Sequence, residues 1–201
     1  MNQPDYSSAR YCTPLRMASY GYQIGEVISE QPHDLLEVGI GNGVVTYILR
    51  QAGIKVTTLD VERELKPDVV ASVLELPFDD NAFDGALCCQ VLEHLPFESF
   101  VRALSELRRV TRLFAVVSLP DVTRHYRIEV RLPKLRFKLG KDVLWMVPRH
   151  QYDGQHHWEI GKRGYPLSLV SARMGEAGFR CVRQYRAWEW PYHHFFVLRK
   201  A

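Results

Sequence analysis

The stretch LLEVGIGNGVVTYILR, residues 35–50, constrains the fold of this chain more than any other segment. It begins as an apolar run of strand length, carries glycine at positions 39, 41 and 43, and continues as an amphipathic segment. Glycines this close together let the backbone turn sharply and approach a ligand, which the N-terminus of the next helix would face. The stretch therefore predicts a strand at 35–38, a ligand-binding turn, and a helix over 43–52 that Gly53 ends.

The alternation of strands and helices continues along the chain. Further strands are predicted at 55–60, 68–72, 83–89, 112–120, 180–188 and 194–200, and further helices at 15–29, 98–110 and 166–179. Most of these strands are apolar throughout, which is typical of a parallel sheet with helices on both faces. Only EWPYH separates the last two strands, and this connection is too short for a helical crossover. We therefore expect an α/β fold with a mostly parallel sheet and an antiparallel pair at its end.

Length and composition are those of an ordinary globular protein. The chain has 201 residues, 46% hydrophobic and 24% charged, which favours one domain over residues 1–201. No apolar run approaches the ~20 residues that span a bilayer, and MNQPDYSSARYC lacks the features of a signal peptide. The four cysteines show no CxxC spacing. We therefore expect reduced thiols, no metal and a cytoplasmic location.

The spacing of the glycines decides between nucleotide-binding turns. A dinucleotide fingerprint beginning at Gly39 would need glycine at position 44, where this chain has Val44, and no GK[ST] follows. Asp60 ends the second predicted strand about twenty residues later, where a carboxylate can accept hydrogen bonds from both hydroxyls of a ribose. These features predict a ligand with a ribose and no need for a pyrophosphate.

Together these motifs resemble the class I S-adenosylmethionine-dependent methyltransferases. The resemblance rests on LEVGIGNG at 36–43, the acid Asp60, LPFDDNAFD at 76–84 and VLEHLP at 91–96, and by motif it is nearest the branch that includes ubiquinone- and menaquinone-biosynthesis enzymes. It implies a Rossmann-like fold whose mostly parallel seven-stranded sheet has a C-terminal antiparallel strand. It also implies S-adenosyl-L-methionine as cofactor and S-adenosyl-L-homocysteine as product.

The resemblance also implies which residues hold the cofactor. Glu37 would hold the glycine loop and the methionine amino group, Asp60 the ribose, and Gln90 would place its backbone carbonyl near the amino or methyl end. The other residues implied are Gly39, Gly41 and Gly43 along the methionyl and ribosyl parts, and Ser72, Val73 and Leu74 around the adenine. Relatives usually carry an acid where this chain has Ser72, so its hydroxyl would accept the adenine hydrogen bond without assistance from a charge.

In this family two segments commonly form the pocket for the molecule that accepts the methyl group. In this chain they are an N-terminal lid, about 1–30, and an insert, about 121–165. Methyl transfer to a hydroxyl needs a general base, and the insert carries His156 and His157, which we take as candidates. Further candidates for contact with the acceptor are Tyr11, Tyr20, His125 and His193.

Residues 121–150 hold eight lysines and arginines against three acids, although the net charge of the whole chain is only +3. The basic run 131–141 within it is compatible with a solvated flap or with an anionic acceptor. A small-molecule methyltransferase is therefore our leading interpretation, and binding of nucleic acid is not expected. Two alternatives stay open: methylation of tRNA or of a protein, and a catalytically silent subunit that stabilises a partner. The oligomeric state is not predicted.

Overall fold

The computed structural model describes residues 9–143, 147–152 and 154–201, and its helices and strands closely follow the predicted alternation. The helices are α1 (Pro14–Glu30), α2 (Val44–Gln51), α3 (Phe100–Val110) and α4 (Leu167–Glu176). The strands are β1 (Asp34–Val38), β2 (Lys55–Asp60), β3 (Val69–Val70), β4 (Phe83–Cys89), β5 (Thr111–Pro120), β6 (Arg124–Leu132), β7 (Leu135–Val143), β8 (Phe179–Arg186) and β9 (His193–Lys200).

Seven of these strands form one sheet in the order β3-β2-β1-β4-β5-β9-β8. The first five strands in this order pair with one another in parallel, whereas β9 runs antiparallel to both β5 and β8. The short link between β8 and β9 forces this reversal, because a parallel pair needs a longer crossover. The predicted fold class, a mostly parallel seven-stranded sheet with an antiparallel strand near the C-terminus, is confirmed.

Helices cover both faces of the sheet, and alternate residues of each buried strand point to opposite faces. On one face α1 and α2 bury Val27 and Leu49 against strand residues that include Leu35. On the other face α3 and α4 bury Leu104 and Met174 against the sheet. Because both faces are covered, β1, β4 and β5 lie almost entirely in the core, which explains their apolar sequences.

Two regions differ from the prediction. The third strand is only two residues long, and its last link to β2 is the N–H of Ala71, which donates to the carbonyl of Asp60 at 3.1 Å. A second, two-stranded sheet, β6 with β7, was not predicted at all. Its signal is the alternation of apolar and polar residues in RHYRIEVRL and LRFKLGKDV, separated only by Pro133 and Lys134.

The proposed lid and insert are only partly described. Of the lid, residues 1–8 lie outside the described part of the chain, and α1 begins at Pro14 behind its N-cap Thr13. Of the insert, residues 144–146 and 153 lie outside it as well. Within the described residues, no helix has both the length and the apolar character that a membrane crossing requires.

Candidate functional site

The carboxyl ends of three adjacent strands bring the predicted cofactor residues together. β1 lies between β2 and β4, so Gly39 after β1, Asp60 at the end of β2 and Gln90 after β4 lie on neighbouring strands at one edge of the sheet. Ligands of open α/β sheets bind at this edge. The sequence therefore identified three residues that the fold makes neighbours, although they are far apart in the chain.

The glycine loop between β1 and α2 adopts a conformation that side chains rarely tolerate. Gly39, Gly41 and Gly43 have φ angles of +83°, +54° and +73°. Gly39 is also tightly enclosed: its N–H donates to the carbonyl of Leu59 at 2.8 Å, and a Cβ built on it would lie 2.3 Å from Cγ2 of Val91. The loop thus needs glycine at position 39 for two separate reasons.

Two alanine variants separate these reasons. Gly43→Ala adds backbone strain only, since nothing lies within 4 Å of its Cβ, and we expect it to destabilise the protein by about 1–2 kcal/mol. Gly39→Ala adds the contact with Val91, and should cost more than Gly43→Ala in a urea denaturation series. The double variant Gly39→Ala/Val91→Ala should recover part of the difference. Equal losses for both single variants would contradict the close approach at Gly39.

Asp60 holds the glycine loop from the end of β2. Its Oδ2 accepts a hydrogen bond from the N–H of Ile40 at 3.0 Å, and its Oδ1 accepts one from the N–H of Glu62 at 3.0 Å. An ionised carboxylate has about four acceptor sites, so both oxygens can still accept hydrogen bonds from ribose hydroxyls. The carboxylate is therefore positioned by the backbone and can also bind a ligand.

Glu37 is buried beneath this loop in β1, with only 4% of its surface exposed. Thr46 of α2 donates a hydrogen bond to its Oε2. Burial raises the pKa of Glu37 to about 7, although the Thr46 hydrogen bond and the charge of Arg50 both lower it. Glu37 therefore connects the strand before the loop to the helix after it. With a pKa near 7, its carboxyl group is present in both the protonated and the ionised form near neutral pH.

The remaining cofactor candidates lie on the turns after β3 and β4. The hydroxyl of Ser72 accepts a hydrogen bond from the N–H of Leu74 at 3.2 Å, and Val73 is buried in the core. Gln90 has a positive φ of +56°, and its N–H donates to the carbonyl of Ser118 at 2.9 Å. A positive φ outside glycine is uncommon and often marks a functional turn.

A second group of polar side chains gathers beside the turn after β4. The N–H of His157 donates to the carbonyl of Glu93 at 2.8 Å, and Nε1 of Trp158 donates to the carbonyl of Leu95 at 3.2 Å. These two bonds fasten the segment around Trp158 to the turn. As a result, the ring of His156 lies 5.0 Å from that of His94, measured between centroids.

His156 and Glu159 form a hydrogen-bonded pair in this group. Nδ1 of His156 lies 3.0 Å from Oε1 of Glu159, and the hydroxyl of Tyr192 donates to the same oxygen. Burial alone would raise the pKa of Glu159, but these hydrogen bonds and the charge of His156 lower it to about 2. An ionised Glu159 fixes the orientation of the imidazole, as an acid/base residue or a metal ligand requires.

The two histidine candidates differ in their surroundings. His156 contacts Glu159 and Tyr192, whereas the ring of His157 packs on the half-exposed Tyr152, with centroids 4.7 Å apart. Of the two, His156 therefore has the partners that chemistry at the site would need. Sequence reasoning did not select Glu93 as a site residue, although an acid inside the apolar motif VLEHLP was an available signal.

The candidates for acceptor contact lie in three places. The hydroxyl of Tyr20 and Nδ2 of Asn42 both donate to the carbonyl of Tyr11, at 3.3 and 3.4 Å, which joins the N-terminal segment to the glycine loop. Nδ1 of His125 lies 2.7 Å from Oδ1 of Asp142, on the partner strand of the hairpin. The fourth candidate, His193, is buried and hydrogen-bonded to Ser19, and burial lowers its pKa to about 3.

Comparison with known proteins places the glycine loop and the turn after β4 within one family model. Residues 36–113 match the model described as a methyltransferase domain. An uncharacterized protein of Methanocaldococcus jannaschii is 46% identical over 44 residues, which is 22% of this chain and 18% of that protein. The match therefore spans under a fifth of the length of that relative.

Solved structures share the fold over most of the chain. A 1,6-didemethyltoxoflavin-N1-methyltransferase of Burkholderia thailandensis has a TM-score of 0.63 at 17% identity, covering 93% of this chain and 78% of its own. A SAM-dependent methyltransferase of Aquifex aeolicus has a TM-score of 0.60 at 19% identity, covering 99% and 100%. The [4+2]-cyclase SpnF has a TM-score of 0.57 at 17% identity, covering 92% and 82%. At these identities the comparison establishes the fold.

Proposed function

We propose that this chain, whose residues 36–113 match a methyltransferase domain and whose fold is that of methyltransferases, transfers a methyl group from S-adenosyl-L-methionine to a small-molecule acceptor. The family match and the shared fold support the enzyme class and the cofactor. The observation that carries the proposal is the loop of three positive-φ glycines, held by Asp60 at the carboxyl edge of the sheet. The neighbour from Burkholderia is named for action on a small molecule, which supports that acceptor class.

The residues around this edge suit the parts of the cofactor. Asp60 would accept hydrogen bonds from the ribose hydroxyls, and Glu37 beneath the loop would attract the positively charged methionine amino group. The three glycines would let the backbone pass close to the ligand. Ser72, Val73 and Leu74 would border the adenine, and the carbonyl of Gln90 would face the amino or methyl end.

The reaction itself needs alignment rather than a protein nucleophile. A lone pair of the acceptor attacks the methyl carbon in line with the sulfur, the new bond to carbon forms, and the carbon–sulfur bond breaks. The electron pair of the broken bond stays on sulfur, so the sulfonium becomes the neutral thioether of S-adenosyl-L-homocysteine. An acceptor hydroxyl also loses its proton, and we propose that His156, oriented by Glu159, assists this loss.

Calorimetry with S-adenosyl-L-homocysteine tests the cofactor assignment without an acceptor. We expect a Kd near 1 μM, about −8 kcal/mol, and no binding of NAD. Asp60→Ala should weaken binding about 10- to 150-fold, because a hydrogen bond to a charged group contributes about 1.5–3 kcal/mol. The exposed Asp79→Ala is the matched control and should bind as the unaltered chain does. Unchanged affinity in Asp60→Ala would remove Asp60 as the ribose ligand.

A panel of acceptors separates the alternatives. Transfer of an isotopically labelled methyl group to metabolites, tRNA or protein would assign the acceptor class, and precursors of the ubiquinone and menaquinone type are the first to test because of the motif resemblance. The fold also occurs in SpnF, which is named as a cyclase, so the fold alone does not specify methyl transfer. Cofactor binding without transfer to any class would favour the silent subunit.

A further inference from the structure

Three side chains from two segments form a compact set of ligand groups beside the carboxyl edge of the sheet. Glu93 and His94 follow β4, and His156 lies in the segment fastened to that turn. Each offers one ligand atom, and these atoms all lie within 4.8 Å of one another. One carboxylate and two imidazoles at this spacing can surround a single metal ion.

The carboxylate of Glu93 provides an independent observation. Its side chain is fully buried, and neither carboxylate oxygen has a hydrogen-bond partner among the described residues. Burying a carboxylate without partners is costly, and buried charges in proteins are normally paired or coordinate a metal. A cation bound beside Glu93 would remove that cost.

The hydrogen bonds of the two histidines suit metal binding as well. Nδ1 of His94 lies 3.0 Å from the carbonyl oxygen of Gln155, and Nδ1 of His156 lies 3.0 Å from Oε1 of Glu159. Both partners are acceptors, so each Nδ1 carries a proton, and in the neutral imidazole the lone pair then lies on Nε2. Metal-binding histidines are usually held in this way, with one ring N–H donated to a carbonyl or a carboxylate.

We propose that Glu93, His94 and His156 bind one divalent transition-metal ion, which neither the sequence expectations nor the compared proteins suggest. Two imidazoles and a carboxylate suit Zn²⁺, Co²⁺, Mn²⁺ or Fe²⁺ better than Mg²⁺ or Ca²⁺, which prefer oxygen ligands. The expectation of no metal came from cysteine spacing, which does not detect ligands contributed by separate segments. Three protein ligands also leave coordination positions open for a further molecule.

The proposal deepens the proposed function and rests on it in one respect, the identity of the acceptor. A hydroxyl bound at an open position of the metal would have a lowered pKa and would release its proton to solvent. The resulting oxyanion would attack the methyl carbon, and the carbon–sulfur bond would break as described above. The acceptor class is therefore a small molecule with a hydroxyl that can bind a metal.

Titration with Co²⁺, followed by its visible absorption, tests the site without cofactor or acceptor. We expect about one Co²⁺ per chain, and Glu93→Gln, His94→Ala and His156→Ala should each weaken binding at least ~100-fold. Glu159→Gln, which replaces the charged hydrogen-bond acceptor of His156 by a neutral amide, should weaken it ~10- to 100-fold. His157→Ala and the exposed His33→Ala are matched controls, and S-adenosyl-L-homocysteine affinity reports folding of every variant.

The outcomes distinguish the two proposals. Co²⁺ binding that is equally weak in the unaltered chain and in Glu93→Gln overturns the metal site, while binding of S-adenosyl-L-homocysteine would leave the proposed function intact. Failure to bind S-adenosyl-L-homocysteine, with Co²⁺ bound as expected, overturns the proposed function instead. Full methyl transfer after chelation would also overturn a metal role in the reaction, and His156 would then act as a general base.

A different observation concerns the hairpin β6–β7, whose apolar side faces outward. Its other side packs on the body of the protein: the guanidinium of Arg127 and Nζ of Lys138 lie over the ring of Trp188, whose Nε1 donates to Glu129. The outward side carries seven apolar residues that are 43–61% exposed: Tyr126, Ile128, Val130, Leu132, Leu135, Phe137 and Leu139. Apolar patches of this extent mark interaction sites.

Charge decides which partner this surface suits. The outward side carries Arg124 and Lys141 beside the apolar residues, with Lys134 in the turn, whereas the two acids of the hairpin, Glu129 and Asp142, lie on the other side. A second copy would bring the same positive charge, whereas an anionic lipid surface would bring the opposite one. We infer that the hairpin docks on an anionic lipid surface. It would lie flat among the headgroups, because the unpaired edges of two strands cannot enter hydrocarbon.

Sedimentation with vesicles tests this docking. The chain should bind vesicles of phosphatidylcholine with phosphatidylglycerol at least ~10-fold better than phosphatidylcholine alone, and Ile128→Ser/Phe137→Ser should lose most of that binding. Leu113→Ser, at a residue 50% exposed in β5, is the control for removing an apolar side chain elsewhere. Equal binding to both vesicles, or none, overturns the inference. A dimer that the hairpin variants dissociate would assign the surface to a second copy instead.

Discussion

Replacing His156 by alanine is expected to lower kcat about 10²- to 10⁴-fold on a hydroxyl acceptor, the usual contribution of a residue that assists proton loss. The reason is geometric: His156 is oriented by Glu159 and Tyr192 and lies beside Glu93 and His94. The affinity for S-adenosyl-L-homocysteine should stay unchanged, because the residues proposed to bind the cofactor surround the glycine loop. Steady-state kinetics and calorimetry on the same preparation provide both measurements.

The matched control for this prediction is His157→Ala. His157 is the neighbouring residue, but its ring packs on Tyr152 and not on Glu159. We expect its kcat to fall by less than about 10-fold. Glu159→Gln should cause an intermediate loss and a changed pH profile, since it acts through His156. If His157→Ala lost as much activity as His156→Ala, proton loss could not be assigned to the imidazole of His156. The segment that carries both histidines would then contribute only by shaping the site.

Glu37→Gln is expected to flatten the pH dependence of the free energy of unfolding between about pH 4.5 and 7. The pKa of Glu37 is raised from 4.5 to about 7 by burial, so in this range the folded chain keeps a proton that the unfolded chain releases. Folding therefore becomes less favourable as the pH rises through this range, and above about 7 the loss is complete. It amounts to about 3 kcal/mol, because each pH unit contributes about 1.4 kcal/mol.

Urea denaturation of cofactor-free protein across this pH range measures the effect. Relative to that of the unaltered chain, the free energy of unfolding of Glu37→Gln should rise by about 3 kcal/mol from pH 4.5 to 7.5. The exposed Glu75→Gln is the control and should track the unaltered chain. Parallel pH curves for Glu37→Gln and the unaltered chain would show that Glu37 titrates in its ordinary range, and thus that it is not desolvated.

Local patterns were sufficient to predict which residues lie together at the carboxyl edge of the sheet, where we propose that the cofactor binds. The glycines, Glu37 and Asp60 lie within or directly after strands whose apolar character marks them as buried and parallel. In such a sheet the carboxyl ends of neighbouring strands meet, so residues at those ends come together wherever they lie in the chain. The prediction therefore needed only two facts about each strand: that it is buried and parallel, and the residue at which it ends.

The acceptor side could not be predicted to the same extent. His156 and His157 are adjacent and chemically identical, and no local pattern separates them. Their difference appears only because Trp158 is buried and donates to Leu95, which turns His156 toward Glu159 and the turn after β4.

The sequence by itself determined the order of the helices and of the strands of the seven-stranded sheet, the antiparallel reversal before β9, and the glycine loop with its acid at the end of β2. These features follow from hydrophobic periodicity, connection length and backbone freedom, which are properties of short segments. Tertiary structure alone decided that Glu93, His94 and His156 meet, and that the hairpin turns its apolar side outward. Both depend on which surfaces pack against the body of the protein, and packing between distant segments is not encoded in the pattern of any one of them.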